Sequence, residues 1–119
     1  MLSFSSRCRY FLYRPATDMR KSFDGLGGLV KRKMEQELLS GDVFIFINRR
    51  CDRIKLLMWD VTGFALYYKR LEKGTFAIPL AKDSSDNSTL ELEWSALVML
   101  LEGIEIKSVK RRKRYRRSG

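Results

Sequence analysis

Three apolar stretches follow one another closely along the chain: VFIFIN at residues 43–48, RIKLLMWD at 53–60 and FALYYKR at 64–70. The first is a continuous apolar run, which is typical of a strand covered on both faces. The connections NRRCD and VTG are short and of the hairpin kind. With a further strand at residues 75–79, reached through LEKG, the pattern predicts an antiparallel meander of four strands.

The residues before this meander predict a strand and a helix. RYFLY at residues 9–13 is short and aromatic and is closed by Pro15, so we expect an edge strand. Apolar residues then recur at spacings of three and four, which predicts a helix with Thr17 or Asp18 at its N-cap and Gly41 at its end. The members of this apolar face are Met19, Phe23, Leu26, Val30, Met34 and Leu38.

Three glycines interrupt that helical pattern. Gly25, Gly27 and Gly28 each reduce helix stability by up to about 1 kcal/mol relative to alanine. We therefore expect either a close approach of another backbone or a break in the helix at this point.

The meander is followed by a polar loop and a second helix. AKDSSDNST at residues 81–89 predicts the loop, and WSALVMLLE at 94–102 predicts a helix that Gly103 ends. The fold class is therefore α+β: an antiparallel β-meander of about four to five strands with one N-terminal and one C-terminal helix packed on one face. Residues 1–106 are expected to form this single domain.

The positive charge of the chain is concentrated at its end. The 119 residues include 24 basic and 14 acidic side chains, for a net charge of +10. Residues 107–119 contain no acid and carry +8 of that charge, which leaves +2 for residues 1–106. We interpret residues 107–119 as a disordered basic arm that contacts phosphates, the alternative being a solubilising extension. Its basic residues are Lys107, Lys110, Arg111, Arg112, Lys113, Arg114, Arg116 and Arg117.

The composition excludes several classes of function. The chain has no histidine, which excludes Ser-His-Asp and Cys-His catalysis and zinc sites with histidine ligands. Its cysteines, Cys8 and Cys51, form no metal-binding pair, and we expect reduced thiols. No apolar run approaches the roughly 18 residues that span a membrane, and the N-terminus does not resemble a signal peptide. We expect a cytoplasmic protein without a cofactor.

Several blocks of the sequence resemble, in order, those of a known family. They are TDMRKSFDGL at residues 17–26, VFIF at 43–46, RRCDRIK at 49–55, WD at 59–60, YKRLEKG at 68–74 and LVMLLEGI at 97–104. This combination is similar to the second-open-reading-frame (Orf2, TnpB-type) proteins of insertion sequence 66 elements, which are bacterial mobile genetic elements. The resemblance covers roughly residues 9–104, and the arginine-rich end departs from it.

The resemblance implies a biological role without a chemical mechanism. A protein of this kind is encoded beside a transposase and supports transposition as an accessory protein, while strand cleavage belongs to the separate transposase. Together with the basic residues of the chain, this role makes DNA an expected partner, with the ends of the element as a candidate target. The co-encoded transposase is a further candidate partner.

The predicted meander also gathers basic residues at one end of the sheet. Alternate turns of a meander lie at the same end, so NRRCD and LEKG should be neighbours. Tyr67 and Tyr68 lie on the adjoining strand, one on each face of the sheet, where one of them could supply a stacking surface. Arginine and lysine side chains beside an aromatic ring suit a nucleic-acid backbone and its bases. The candidate binding residues are Arg49, Arg50, Arg53, Lys55, Tyr67, Lys69, Arg70 and Lys73, together with the basic arm.

Other interpretations of these residues stay open. The basic end could dock on an acidic surface of the transposase without touching DNA, or it could be a solvated rim that blocks edge pairing. A metal-dependent nuclease would need a cluster of carboxylates, for which Asp18, Asp24, Asp52 and Asp60 are the candidates. Asp52 and Asp60 are expected at opposite ends of the meander, which argues against a shared metal site and against catalysis.

Overall fold

The computed structural model describes residues 4–78 and 88–103. Within these residues, five strands and two helices are formed. In chain order they are β1 (Tyr10–Tyr13), α1 (Phe23–Arg32), β2 (Val43–Ile47), β3 (Arg53–Trp59), β4 (Phe64–Arg70), β5 (Thr89–Leu92) and α2 (Trp94–Leu101).

The strands form one sheet in the order β4-β3-β2-β1-β5. Strands β2, β3 and β4 are consecutive and antiparallel, so the meander predicted for them is confirmed. Strand β1 pairs with β2 in parallel, through a crossover that contains α1, and the sheet is therefore mixed. The α+β class predicted from the sequence is confirmed.

Three predictions about the strands were wrong. Strand β1 is not at an edge, because β5 pairs with it antiparallel, with Tyr10 opposite Leu92. Strand β5 begins at Thr89, inside the stretch predicted as a polar loop, of which residues 81–87 lie outside the described residues. Residues 75–78 form no strand; instead the Phe76 N–H donates to the Cys51 carbonyl oxygen and the Phe76 ring is buried.

The helices pack on opposite faces of the sheet, and not on one face as predicted. Side chains alternate between faces along each strand. In β2, Phe44 and Phe46 join a cluster with Leu26 and Val30 of α1. Their neighbours Val43, Ile45 and Ile47 join a second cluster with Leu97 and Leu100 of α2. This arrangement explains why every residue of β2 is apolar and buried.

Helix α1 is shorter than the predicted span and begins after Ser22, so the N-cap prediction was wrong. Asp18 instead accepts the Arg20 N–H in a turn ahead of the helix. The helix ends in a wide turn, in which the Gln36 N–H donates to the Val30 carbonyl oxygen and Glu35 adopts φ 56°. Met34 and Leu38 nevertheless pack in the cluster that contains Leu26 and Val30 of α1. The apolar periodicity therefore correctly indicated which side chains pack there, although the helix ends before them.

Helix α1 runs unbroken through Gly25, Gly27 and Gly28, so the break expected at these glycines was wrong, and the turn after the helix explains one of the three. A Cβ at Gly27 would lie 3.1 Å from Cδ2 of Leu38, which folds back onto the helix after the turn. The contact is with a side chain and not with another backbone. Helix α2 ends close to its predicted boundary, and Gly103 follows it with φ 77°.

Both cysteines are free thiols, as predicted. Within the described ranges, neither helix is long and apolar enough to cross a membrane.

Candidate nucleic-acid interface

The turn between β2 and β3 is held by Asn48. Its side-chain oxygen accepts the N–H groups of Asp52 and Arg53 at 3.0 and 2.9 Å, and its amide donates to the Asp52 carboxylate at 2.7 Å. Cys51 adopts φ 60° within the turn. An asparagine can bond backbone groups a few residues ahead, so it fixes the point at which β3 begins. The turn presents Arg49 and Arg50 to solvent.

The register of β3 and β4 sets two cross-strand pairs on the α1 face. Arg53 lies opposite Arg70, and Lys55 lies opposite Tyr68. Backbone hydrogen bonds join Leu71 to Asp52 and Asp60 to Gly63 in the same register. Because hydrogen-bonded pairs alternate along an antiparallel ladder, Arg53–Arg70 and Lys55–Tyr68 fall at the non-hydrogen-bonded positions, where side chains approach most closely.

These pairs form a shallow cleft that opens to solvent. It has a volume of about 330 Å³ and is lined by Arg53, Tyr68, Arg70 and Glu72, which we call the arginine cleft. The Arg70 guanidinium contacts the Glu72 carboxylate at 3.1 Å, and both side chains are largely exposed. Like charges placed directly opposite each other destabilise a sheet. The Arg53–Arg70 pair is therefore a feature that the fold itself does not require.

Lys55 lies opposite Tyr68, on the same face of the sheet as the cleft, and is 6% exposed. Its Nζ donates to the carbonyl oxygens of Met19 and Lys21 at 2.8 and 2.7 Å and lies 4.7 Å from the centroid of the Tyr68 ring. Lys55 was predicted to contact phosphates, but the structure uses its ammonium group inside the protein. Its role is to join the segment before α1 to the sheet.

Two further predicted residues lie on the other face of the sheet. Tyr67 packs in the α2 cluster, with its ring centroid 6.0 Å from that of Phe4. The Lys69 Nζ donates to the Leu101 carbonyl oxygen at 2.6 Å, at the C-terminal end of α2, where a positive charge is favourable. The structure thus separates Tyr67 and Lys69 from the arginine cleft.

The remaining predicted residues surround the cleft or lie outside the described residues. Lys73 is exposed in the segment after β4, which returns to the turn end of the sheet as predicted. The basic arm at residues 107–119 lies outside the described residues.

The carboxylate of Asp52 remains ionised beside these cations. The hydrogen bond from Asn48 and the nearby guanidiniums of Arg50 and Arg53 lower the pKa of Asp52 below its usual value. One acid therefore offsets part of the positive charge of the turn, while Arg53 and Arg70 face the cleft.

The sequence predicts a tyrosine of β4 at this surface but does not decide which of the two it is, and it does not predict the neighbouring segment at residues 19–21. Tyr68, which is 49% exposed, is the aromatic residue that the cleft presents, whereas Tyr67 was named as the candidate binding residue. Strand alternation puts the two tyrosines on opposite faces, but it does not say which face the nearby helix leaves open. Residues 19–21 were also missed, because only the hydrogen bonds of Lys55 bring them beside Tyr68.

The carboxylates considered for a metal site are dispersed. Asp52 and Asp60 flank opposite ends of β3, and Asp18 pairs with Arg20. In residues 4–78 and 88–103, no group of three acidic, cysteine or histidine side chains is placed to hold a metal ion.

Comparison with known proteins identifies the family of the chain. Residues 8–111 match the family described as IS66 Orf2 like protein. The chain is 34% identical over 107 residues to the uncharacterized protein y4jC of Sinorhizobium fredii, covering 90% of this chain and 91% of that protein. It is 30% identical over 105 residues to the uncharacterized protein y4hO of the same organism, covering 88% of each. No solved structure matches. The chain therefore belongs to the IS66 Orf2-like family, the accessory proteins of IS66 insertion sequences.

Proposed function

We propose that this protein supports transposition by binding nucleic acid without bond chemistry, with phosphates held at the arginine cleft and by the basic arm. The observation that carries the proposal is the pairing of Arg53 with Arg70 in register on one face. Two arginines that start from directly opposite positions on one face can both direct their guanidiniums to the same anion. The phosphate backbone of DNA supplies such anions at regular spacing.

The surroundings of the cleft favour a polyanion over a single small ion. Arg49, Arg50 and Lys73 extend the positive surface beyond the cleft, and all three are exposed. A solvated rim would explain the exposed charges of the turn. It does not explain a like-charged pair set beside a half-exposed aromatic ring.

The proposal is tested by the salt dependence of DNA binding by the full-length protein. Arg53→Gln and Arg70→Gln should each weaken binding and reduce the slope of log K against log salt by about 0.9, the value for one lost phosphate contact on duplex DNA. Arg7→Gln is the matched control. It removes one charge from an exposed arginine ahead of β1, at the opposite end of the sheet.

The contribution of the basic arm is measured separately. A full-length variant in which the arm's lysines and arginines are glutamines shows binding by residues 1–106 in the presence of an uncharged tail. Binding to element-end DNA and to scrambled DNA then separates sequence preference from general affinity. Unchanged slopes for Arg53→Gln and Arg70→Gln in both backgrounds would refute the proposal.

A second candidate function, docking on the co-encoded transposase, is favoured by a different part of the sheet. Strand β4 lies at an edge of the sheet formed by residues 4–78 and 88–103, and no strand in these residues pairs with its outer side, the kind of edge to which another chain can add a strand. The turn before it carries Val61, which is 82% exposed. An exposed apolar residue beside an open strand edge suits a protein partner.

This candidate predicts that the tagged protein captures the transposase after nuclease treatment. Val61→Asp should weaken that capture, whereas Arg53→Gln should leave it unchanged. Loss of capture on nuclease treatment of the unmodified protein would instead indicate that nucleic acid bridges the two proteins.

A further inference from the structure

The ring of Tyr68 contacts Lys55 on its inner face, and the side chain is 49% exposed to solvent. Its ring covers the ammonium group of Lys55, and Lys55 is itself fixed by two hydrogen bonds to backbone carbonyl oxygens. Because one ring face lies over that cation, the exposed part of the side chain is the outer face and the rim. Such a ring loses little conformational freedom when a second flat group stacks on it.

The ring differs from the other exposed apolar side chains in its neighbours. Phe23, Leu39 and Val61 are also exposed, but the arginine cleft includes none of them. Tyr68 instead lies next to the Arg53–Arg70 pair, with Arg70 two residues along the same strand and Arg53 diagonally across on β3, and it lines the cleft together with these arginines and Glu72. Its volume of about 330 Å³ corresponds to the lower end of the range for small-ligand sites.

This geometry distinguishes between two forms of nucleic acid. In a duplex, the faces of the bases are covered by the neighbouring base pairs, and a protein reaches only phosphates and base edges. An unpaired base offers its face, and stacking on an aromatic side chain is how proteins bind single strands without sequence preference. The two arginines, which lie together on one side of Tyr68, would contact phosphates next to the stacked base.

We infer that the arginine cleft binds single-stranded nucleic acid, with one unpaired base stacked on the outer face of Tyr68 and neighbouring phosphate on the adjacent Arg53–Arg70 pair. This inference rests on the proposed function and deepens it, since it specifies which form of nucleic acid the cleft takes. Lys55 is a positioning residue in this arrangement, because it acts through the ring.

The test measures binding of the full-length protein to two labelled probes. One is a single strand, and the other is the same strand annealed to its complement. Tyr68→Leu should weaken binding of the single strand by roughly five- to hundredfold, the usual loss for one stacked base. It should change duplex binding by less than about twofold, because no base is stacked there. Tyr68→Phe keeps the ring and should therefore restore most of the single-strand affinity that Tyr68→Leu loses, which a role of the hydroxyl group alone would not.

A second measurement avoids any dependence on the folding of a variant. Photocrosslinking of the unmodified protein to a single strand containing a halogenated uracil should attach the base at Tyr68, as mapped by mass spectrometry. Crosslinks at other residues, with none at Tyr68, would overturn the inference. An equal loss of single-strand and duplex binding in Tyr68→Leu would do the same.

The three variants distinguish failure of base stacking from failure of phosphate binding at the cleft. If Arg53→Gln and Arg70→Gln weaken both probes while Tyr68→Leu affects neither, the stacking inference is wrong and the proposed function stands. If none of the three variants affects either probe, both are wrong.

Discussion

The Nζ atom of Lys55 lies 4.7 Å from the centroid of the Tyr68 ring, across the β3–β4 pair. Burial of an ammonium group is unfavourable unless its hydrogen bonds are satisfied. Here two backbone carbonyl oxygens and an aromatic face replace water around it. One buried side chain thus joins the sheet, the segment before α1 and the ring of the arginine cleft.

Replacing this lysine should destabilise the protein. Lys55→Met keeps the apolar stem but leaves the carbonyl oxygens of Met19 and Lys21 without their donor, so we expect a loss of about 1–3 kcal/mol in the free energy of unfolding. Lys69→Met is the control, because Lys69 donates to a single carbonyl oxygen on the other face. Urea denaturation of both variants measures the difference. A loss for Lys69→Met equal to or larger than that for Lys55→Met would contradict the role assigned to Lys55.

Removing the acid of the arginine cleft should strengthen nucleic-acid binding. Glu72 partly neutralises Arg70, and Glu72→Gln removes that negative charge while keeping the shape of the side chain. Because both groups are exposed, their pairing is worth at most about 1 kcal/mol, so the expected gain is roughly two- to fivefold at low salt. Glu102→Gln, an exposed acid after α2, is the control. Weaker binding by Glu72→Gln would show that the carboxylate orients Arg70 productively.

The sequence allowed the meander to be predicted because its signals are local. Continuous apolar runs and short turns fix β2, β3 and β4 without reference to the rest of the chain. Strand β5 carries no comparable signal, since TLEL is four residues long and follows a polar stretch. Its pairing with β1 is a contact between distant parts of the chain. The edge position predicted for β1 failed for that reason.

The candidate site was predictable as a region and not as a set of contacts. Turn alternation correctly placed Arg53 and Arg70 at one end of the sheet. The partners of Lys55 and Lys69 depend on where two helices dock, which the local sequence does not specify. Those helices occupy opposite faces, and this decides that Tyr68, and not Tyr67, is open to solvent.

Tyr10 should make the stability of the protein sensitive to alkaline pH. Burial raises the pKa of Tyr10 to about 12, and its hydroxyl donates to the Ser5 carbonyl oxygen at 2.6 Å. A phenol with a raised folded-state pKa adds stability below its unfolded pKa of about 10, and this contribution is lost as the pH rises through about 12. Urea denaturation across this range should show a steeper loss for the unmodified protein than for Tyr10→Phe. Parallel curves would contradict the prediction.

The turn between β3 and β4 contains a strained residue. Val61 adopts φ 58°, a left-handed conformation that is unfavourable for a β-branched side chain, and its side chain is exposed. Val61→Asn should therefore stabilise the protein by about 1 kcal/mol, because asparagine tolerates this conformation. Thr62→Asn is the control, since Thr62 is exposed in the same turn without a positive φ. A midpoint of urea denaturation for Val61→Asn no higher than that of the control would refute the strain argument.

Two glycines should respond to alanine in opposite directions. Gly28 lies in α1, and a Cβ there would meet only the end of the flexible Arg32 side chain, which can move. Gly28→Ala should therefore stabilise the protein by about 0.5–1 kcal/mol through helix propensity. Gly41 has open space around it but adopts φ 88°, so Gly41→Ala should destabilise by about 1 kcal/mol despite the absence of a clash. Thermal and urea denaturation of the two variants show whether available space or backbone conformation decides the change in stability. Available space alone would favour Gly41→Ala, whereas backbone conformation favours Gly28→Ala. Stabilisation by Gly41→Ala would mean that the backbone relaxes at that position.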